Sequence, residues 1–233
     1  ERGITFEVVP GVTSAIAAAA YSGIPITHRK VATCFTVVSG SEDPSKLESV
    51  IPWDVLAKTG GTLVVLMGWA ALTSIMETLQ KSGMAPETPV ALVQWGTWNK
   101  QRTVTGNLSN VVARGKEAGL NPPVISIIGD VVNLREQLAW FDRRPLFGQK
   151  VLITRSRTQA SNLRTQLEEL GAATVELPSI EIADLDDYSQ LDEALARLKD
   201  FGWVFFSSTN AVEAVFQRLS FQNRDSRAFN TAK

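Results

Sequence analysis

Residues 5–23 read TFEVVPGVTSAIAAAAYSG, and this stretch decides the architectural reading. Thr5–Val9 is apolar and β-branched enough for a strand, and Pro10-Gly11 closes it with a sharp turn. Thr13 then stands at a helix N-cap position, with Gly23 as the stop after Tyr21. Strand, turn and capped helix in that order are the working parts of α/β architecture. A helix start also carries unpaired N–H groups, which suit a carboxylate, a phosphate or a ribose hydroxyl. Pro10, Gly11, Thr13 and Ser14 are therefore candidate ligand contacts. Any α/β protein has such starts, so from these residues alone a structural role is the favoured reading.

The alternation continues outward from this stretch. Thr33–Ser39, Thr62–Met67, Val90–Val93, Arg102–Thr105 and Val124–Ile128 are β-rich runs. Leu72, Ile75, Met76 and Leu79 recur at helical spacing before Gly83, and a further helix is expected from about Asn107 to Ala118. Met67-Gly68 and Gly96-Thr97 place glycine where a strand meets a loop, which lets a ligand approach the backbone. Asp142–Gly148 breaks the rhythm with Pro and Gly and is read as a domain boundary, with a surface loop as the alternative. Beyond it, Lys150–Thr154, Thr174–Leu177 and Trp203–Ser207 are expected strands. They alternate with helices marked by Leu163, Leu167 and Leu170, by Leu191, Leu195 and Leu198, and by Val212, Val215, Phe216 and Leu219. This is the order of a doubly wound, mostly parallel sheet that stops early.

Composition narrows the function classes. The chain has 233 residues, 44% hydrophobic and 20% charged, with a formal net charge of -1. That balance gives no global attraction to nucleic acid or to an anionic membrane surface. A single cysteine, Cys34, excludes an internal disulfide framework and a cysteine-cluster metal site. No apolar run reaches the roughly 18–20 residues of a membrane span. The opening Glu-Arg-Gly, running straight into a strand-like segment, reads as the interior of a longer chain.

The run VVPGVTSAIAAAAYSGIPITHR (8–29) closely resembles a signature of the S-adenosylmethionine-dependent tetrapyrrole methyltransferases, above all uroporphyrinogen-III C-methyltransferase. The resemblance continues in order through FTVVSGSEDP (35–44), GTLVVLMG (61–68), PVALVQWGTWNKQRTVTGNL (89–108) and PPVISIIGDVVNLREQLAWF (122–141). It implies a two-lobed α/β enzyme, usually dimeric, that holds S-adenosyl-L-methionine between its lobes and needs no metal. By this resemblance residues 1–30 end the first lobe and 31–143 form the second. Pro10, Gly11, Thr13, Ser14, Met67, Gly96 and Thr97 are then donor-site candidates, and His28 and Arg29 are weak candidates at the tetrapyrrole cleft. Ser39-Gly40-Ser41 departs from the usual Thr-Gly-His, which weakens any role resting on a histidine at position 41. The family's glycine-proline loop and Gly-Gly-Asp segment lie upstream of the matched signature, so methylation by these 233 residues alone is not expected.

From residue 144 onward the chain resembles the start of uroporphyrinogen-III synthase, through GQKVLITRSR (148–157), VELPSIEI (175–182) and WVFFSSTNAVEAVF (203–216). Ser207 and Ala211 stand where that family usually has Thr and Gly. Thr154 and Arg155 at a strand end, with Ser207, Ser208, Thr209 and Asn210 at a helix start, are candidate contacts for substrate carboxylates. Thr209 acting only as a helix cap is the competing reading. The resemblance implies cyclisation of hydroxymethylbilane without a cofactor, again not expected of this incomplete segment alone. Together the two segments imply a cytoplasmic enzyme on a tetrapyrrole substrate, a homodimer through its methyltransferase part, with no nucleic-acid or membrane partner. Two alternatives stay open: a methyltransferase for a later precorrin, and a non-catalytic α/β binding module. Trp53, Trp69, Trp95 and Trp98 are numerous for so short a stretch; burial, dimer contact or tetrapyrrole stacking would each account for them, and burial is the default reading.

Overall fold

The computed structural model describes residues 3–41, 49–154, 157–179 and 183–229. The chain forms two compact units, 1–180 and 181–233. The first contains α1 (Ser14–Tyr21), β1 (Phe35–Ser39), α2 (Trp53–Leu56), β2 (Thr62–Leu66), α3 (Leu72–Lys81), β3 (Pro89–Gln94), β4 (Arg102–Asn107), α4 (Val111–Glu117) and β5 (Val124–Ile128). It continues with α5 (Arg135–Leu138), β6 (Lys150–Ile153), α6 (Arg157–Glu169) and β7 (Ala173–Glu176). The second contains α7 (Ser189–Ala196) and α8 (Thr209–Phe221).

Five strands form one mixed sheet in the order β1-β2-β5-β3-β4, in which only β1 and β2 run parallel. Its pleat sorts side chains to two faces. Val90 and Leu92 of β3 enter a core with Leu63, Val65, Ile75, Met76, Leu79 and Val111, which α3 and α4 cover. Ala91 and Val93 turn to the other face and meet Ala18, Ala19, Ile127 and Val131. The alanines of α1 serve that second face. Ala15, Ala18 and Ala19 are buried, and their small side chains let the helix axis lie close to the sheet. β6 and β7 form a separate parallel pair, with α6 as the connection between them. The α/β class read from the sequence is the observed one.

Two expected strands are corrected. Residues 5–9 take part in no strand, and Phe6 and Val9 are each 84% exposed. Trp203–Ser207 likewise forms no strand, and Phe205 is 87% exposed, stacked on Trp203 with ring centroids 6.0 Å apart. A strand exists only where a neighbouring backbone supplies the other half of its hydrogen bonds. Among the described residues no strand lies beside either run. The two compact units reflect packing, whereas the division at 143/144 read from the sequence separates two lines of resemblance.

The second unit is pinned by charge. Arg218 of α8 donates to both carboxylate oxygens of Asp192 on α7, at 2.7 and 2.5 Å, and Gln222 adds a third hydrogen bond at 2.7 Å. The guanidinium also lies over the Tyr188 ring, 4.5 Å from its centroid. Hydrogen bonding from Arg218 holds the Asp192 carboxyl below its ordinary range, and Arg227 holds Asp225 down at about 2. An acid depressed in the folded state stabilises it above the unfolded pKa, and that contribution is lost as pH falls through the folded value. We expect the Arg218–Asp192 link between α7 and α8 to weaken as pH falls below about 4, the unfolded Asp value, with a modest fall in the stability of this unit. Asp192→Asn should remove part of that dependence, and circular dichroism against pH would detect it; an unchanged acid limb would refute the assignment.

Candidate functional site

A cavity of about 730 Å³ opens where β2 and β3 end and β5 begins. Leu66 and Met67 follow β2, Trp95, Gly96 and Trp98 follow β3, Pro122 and Pro123 precede β5, and Ser14 and Ala18 of α1 close one side. Trp69 completes the indole lining. The backbone is unusual at this rim. Met67 (φ 54°), Trp95 (φ 50°) and Thr97 (φ 74°) adopt the left-handed conformation that L-residues avoid. Such conformations persist only where surrounding structure over-determines them, and they gather at ligand sites.

Close packing sets the cavity's shape. A Cβ built on Gly96 would collide with the Ala18 side chain and lie 3.0 Å from its Cα, so only glycine lets this turn touch α1. Gly40 meets Gly68 in the same way, 2.6 Å from a built Cβ to the Gly68 Cα, and the Gly40 N–H donates to the Leu66 carbonyl at 2.7 Å. The walls are mostly apolar and aromatic, and Lys100 lies over Trp95, 3.5 Å from the ring centroid. π faces of this kind suit a flat base or a cation. Thr13 caps α1, its hydroxyl accepting from the Ala15 N–H at 3.3 Å and its carbonyl from the Ile16 and Ala17 N–H groups at 3.1 and 3.0 Å, so that the helix start beside Ser14 is firmly held.

Of the residues singled out from the sequence, the fold brings Ser14, Met67 and Gly96 to this cavity. Thr97 sits in the same turn, where its N–H donates to Gln101 Oε1 at 2.9 Å, and Thr13 acts one residue before the lining. Pro10 and Gly11 lie in the exposed run and do not line it. Nor do His28 and Arg29. They occupy an exposed turn closed by reciprocal backbone hydrogen bonds between His28 and Ala32, at 2.9 and 3.0 Å. Met67 is 67% exposed rather than part of the core. Ser41 is exposed.

In the later segment Thr154 follows β6, and its carbonyl accepts from the Ser179 N–H and hydroxyl at 3.2 and 3.1 Å. Arg155 lies outside the described residues. Ser207 is exposed, and Thr209 and Asn210 open α8, but the cap is Ser208, whose Oγ accepts from the Ala211 N–H at 3.1 Å. The expected cap at Thr209 is thus displaced by one residue, because Ser208 has the extended backbone (φ −160°, ψ 160°) that a capping side chain needs. For the tryptophans the sequence favoured burial over contact with a ligand. Trp53 is buried as expected, but Trp69, Trp95 and Trp98 face the cavity. Their adjacency to the strand-ending glycines was the available signal.

An apolar, aromatic-walled cavity at strand ends, beside a capped helix and strained turns, makes this α/β protein's candidate site for a small ligand. Residues 1–112 match the Tetrapyrrole (Corrin/Porphyrin) Methylases, and residues 161–233 match Uroporphyrinogen-III synthase HemD. The first part of the chain thus matches the tetrapyrrole methylases and its last part the uroporphyrinogen-III synthases. Over its whole length it is 35% identical to "Porphyrin biosynthesis protein HemD" of Ruminiclostridium josui, covering 46% of that protein. It is 36% identical, again over its whole length, to the "Uroporphyrinogen-III C-methyltransferase" of Bacillus subtilis (strain 168), covering 47% of that protein. The chain thus spans about half the length of these curated relatives. A solved Thermus thermophilus uroporphyrin-III C-methyl transferase complexed with S-adenyl homocysteine is 35% identical with a TM-score of 0.48, covering 57% of this chain and 56% of that one.

Proposed function

We propose that the protein carrying this chain methylates uroporphyrinogen III to precorrin-2 with S-adenosyl-L-methionine as donor. The observation that carries the reading is the cavity lined by Ser14, Met67, Trp69, Trp95, Gly96 and Trp98, within the segment that matches the tetrapyrrole methylases. The donor supplies a methyl group made electrophilic by its sulfonium. A pyrrole carbon of the acceptor forms the new bond as the sulfur–methyl bond breaks, its electron pair staying on sulfur. The chain's residues align and dry the reaction rather than provide a nucleophile. The indoles exclude water and offer negative ring faces to a cation, Gly96 gives backbone access, and the start of α1 favours a carboxylate.

In this reading Thr13 and Thr97 position the donor site, Pro10 and Gly11 flank it, and His28 and Arg29 belong to the acceptor side. Residues 1–30 and 31–143 are then the two methyltransferase parts, and 144–233 begin a synthase that closes hydroxymethylbilane through contacts at Thr154, Arg155 and Ser207–Asn210. The pairing is chemically coherent, since the synthase product is the methyltransferase's substrate. The protein acts in the cytoplasm as a homodimer joined by its methyltransferase part. Among the described residues no helix is long and apolar enough to cross a membrane.

The test is incubation of the full-length gene product with S-adenosylmethionine and uroporphyrinogen III, followed by mass spectrometry of the tetrapyrrole. Methylated uroporphyrinogen III is the expected product. Methylation only of later precorrins would favour the corrin-pathway alternative, and failure to bind S-adenosylhomocysteine would favour a non-catalytic module.

A further inference from the structure

Gln101 is 3% exposed and lines no part of the cavity, yet its amide joins the two walls. Its Oε1 accepts from the Thr97 N–H at 2.9 Å, and its Nε2 donates to the Tyr21 carbonyl at 3.2 Å across 80 residues of sequence. The first bond fixes a β-branched residue at φ 74°, a conformation with little intrinsic support. The second satisfies a carbonyl at the C-terminal end of α1, where the helix offers no N–H of its own. One wall of the cavity is the turn that holds Trp95, Gly96 and Trp98, and the other is the helix that holds Ser14 and Ala18. Where the walls meet, a built Gly96 Cβ reaches within 3.0 Å of the Ala18 Cα, so their spacing tolerates little drift. The turn is further closed by Trp98 N–H to Trp95 carbonyl at 3.1 Å and Gln101 N–H to Trp98 carbonyl at 2.8 Å.

We infer that Gln101 is a positioning residue for the donor site, a tether that holds the Trp95–Trp98 turn against α1 and keeps Thr97 in its left-handed conformation. The inference rests on the donor-site reading above. It separates Gln101 from a core polar group that merely needs partners, because its effect must pass through the backbone of Thr97. Glycine adopts φ 74° at no steric cost, so the tether matters less when residue 97 is glycine.

The experiment is a double-mutant cycle in the full-length gene product with Gln101→Met, Thr97→Gly and the pair, read by calorimetric binding of S-adenosylhomocysteine and by KM for each substrate. Gln101→Met is expected to weaken S-adenosylhomocysteine binding about tenfold and raise donor KM alike, with acceptor KM nearly unchanged. In the Thr97→Gly background the same substitution should cost less than about threefold. Equal losses in both backgrounds, or equal rises in the two KM values, would overturn the tether. Wild-type protein that fails to bind S-adenosylhomocysteine would instead overturn the donor-site reading itself. Should Gln101→Met not fold, Gln101→Asn, which withdraws the amide from both partners, enters the same cycle.

Discussion

Gly96→Ala is expected to cut S-adenosylhomocysteine affinity and methyl transfer by about a hundredfold or more, while leaving a folded protein. The added methyl has nowhere to go. It would overlap the Ala18 side chain and lie 3.0 Å from the Ala18 Cα and 3.5 Å from Val93 Cγ1, so either α1 or the Trp95–Trp98 turn must retreat. Overpacking of this kind costs about 1–3 kcal/mol, which a domain of ordinary stability survives. The functional loss is larger because both elements line the same cavity, and a shift of about 1 Å in a positioning wall already costs about a hundredfold. Calorimetric titration with S-adenosylhomocysteine, alongside a urea unfolding curve, separates the two effects. A Gly96→Ala protein that binds as wild type does would remove this cavity from consideration as the donor site.

Arg135→Ala should destabilise the first unit strongly, by about 3 kcal/mol. Arg135 donates to the Ser22 carbonyl and to the Asp142 carboxylate, and the two charged side chains are only 18% and 15% exposed. Removing the guanidinium leaves a buried carboxylate without its counter-charge and a carbonyl just past α1 without its donor. The Asp142 Oδ1 already lacks a partner, so no spare hydrogen bond is at hand to compensate. The double variant Arg135→Ala/Asp142→Asn should lose less than Arg135→Ala alone, since it removes the orphaned charge together with its cause. Urea midpoints of the single and double variants give the answer; a double variant worse than the single would mean that the pair acts mainly through packing.

How much of this was legible before the fold was known depends on whether a feature is local. The strands β1 to β7 and the longer helices α1, α3, α4, α6, α7 and α8 were readable to within a few residues, because periodicity and turn residues are written along the chain, whereas the four-residue helices α2 and α5 were not. The runs at 5–9 and 203–207 look equally strand-like in composition, yet neither is a strand, since a strand is a property of two segments. The same divide runs through the site. Ser14, Met67 and Gly96 stood out because strand-ending glycines and a capped helix are local signals. Gln101 did not, because nothing in the sequence brings Tyr21 within 3.2 Å of a side chain 80 residues later. The tryptophans illustrate the limit of a sound default. Burial is right for Trp53, but an indole next to a turn glycine is as well placed to wall a cavity as to fill a core.

The aromatic strap that follows α5 bears on how the gene could be divided. Rings run from Tyr21 through Trp140 and Phe141 to Phe147 at centroid separations of 5.2, 5.5 and 5.3 Å. Trp140 Nε1 donates to the Ala20 carbonyl at 3.1 Å, and the Leu146 N–H donates to Leu170 at 2.9 Å. Between residues 143 and 144, where the two family resemblances meet, the polypeptide is thus sewn to the helix beside the cavity on one side and to the end of α6 on the other. A break placed there would sever that seam. A break near 180, at the edge of the compact unit, keeps the seam whole but falls inside the segment that matches the synthases.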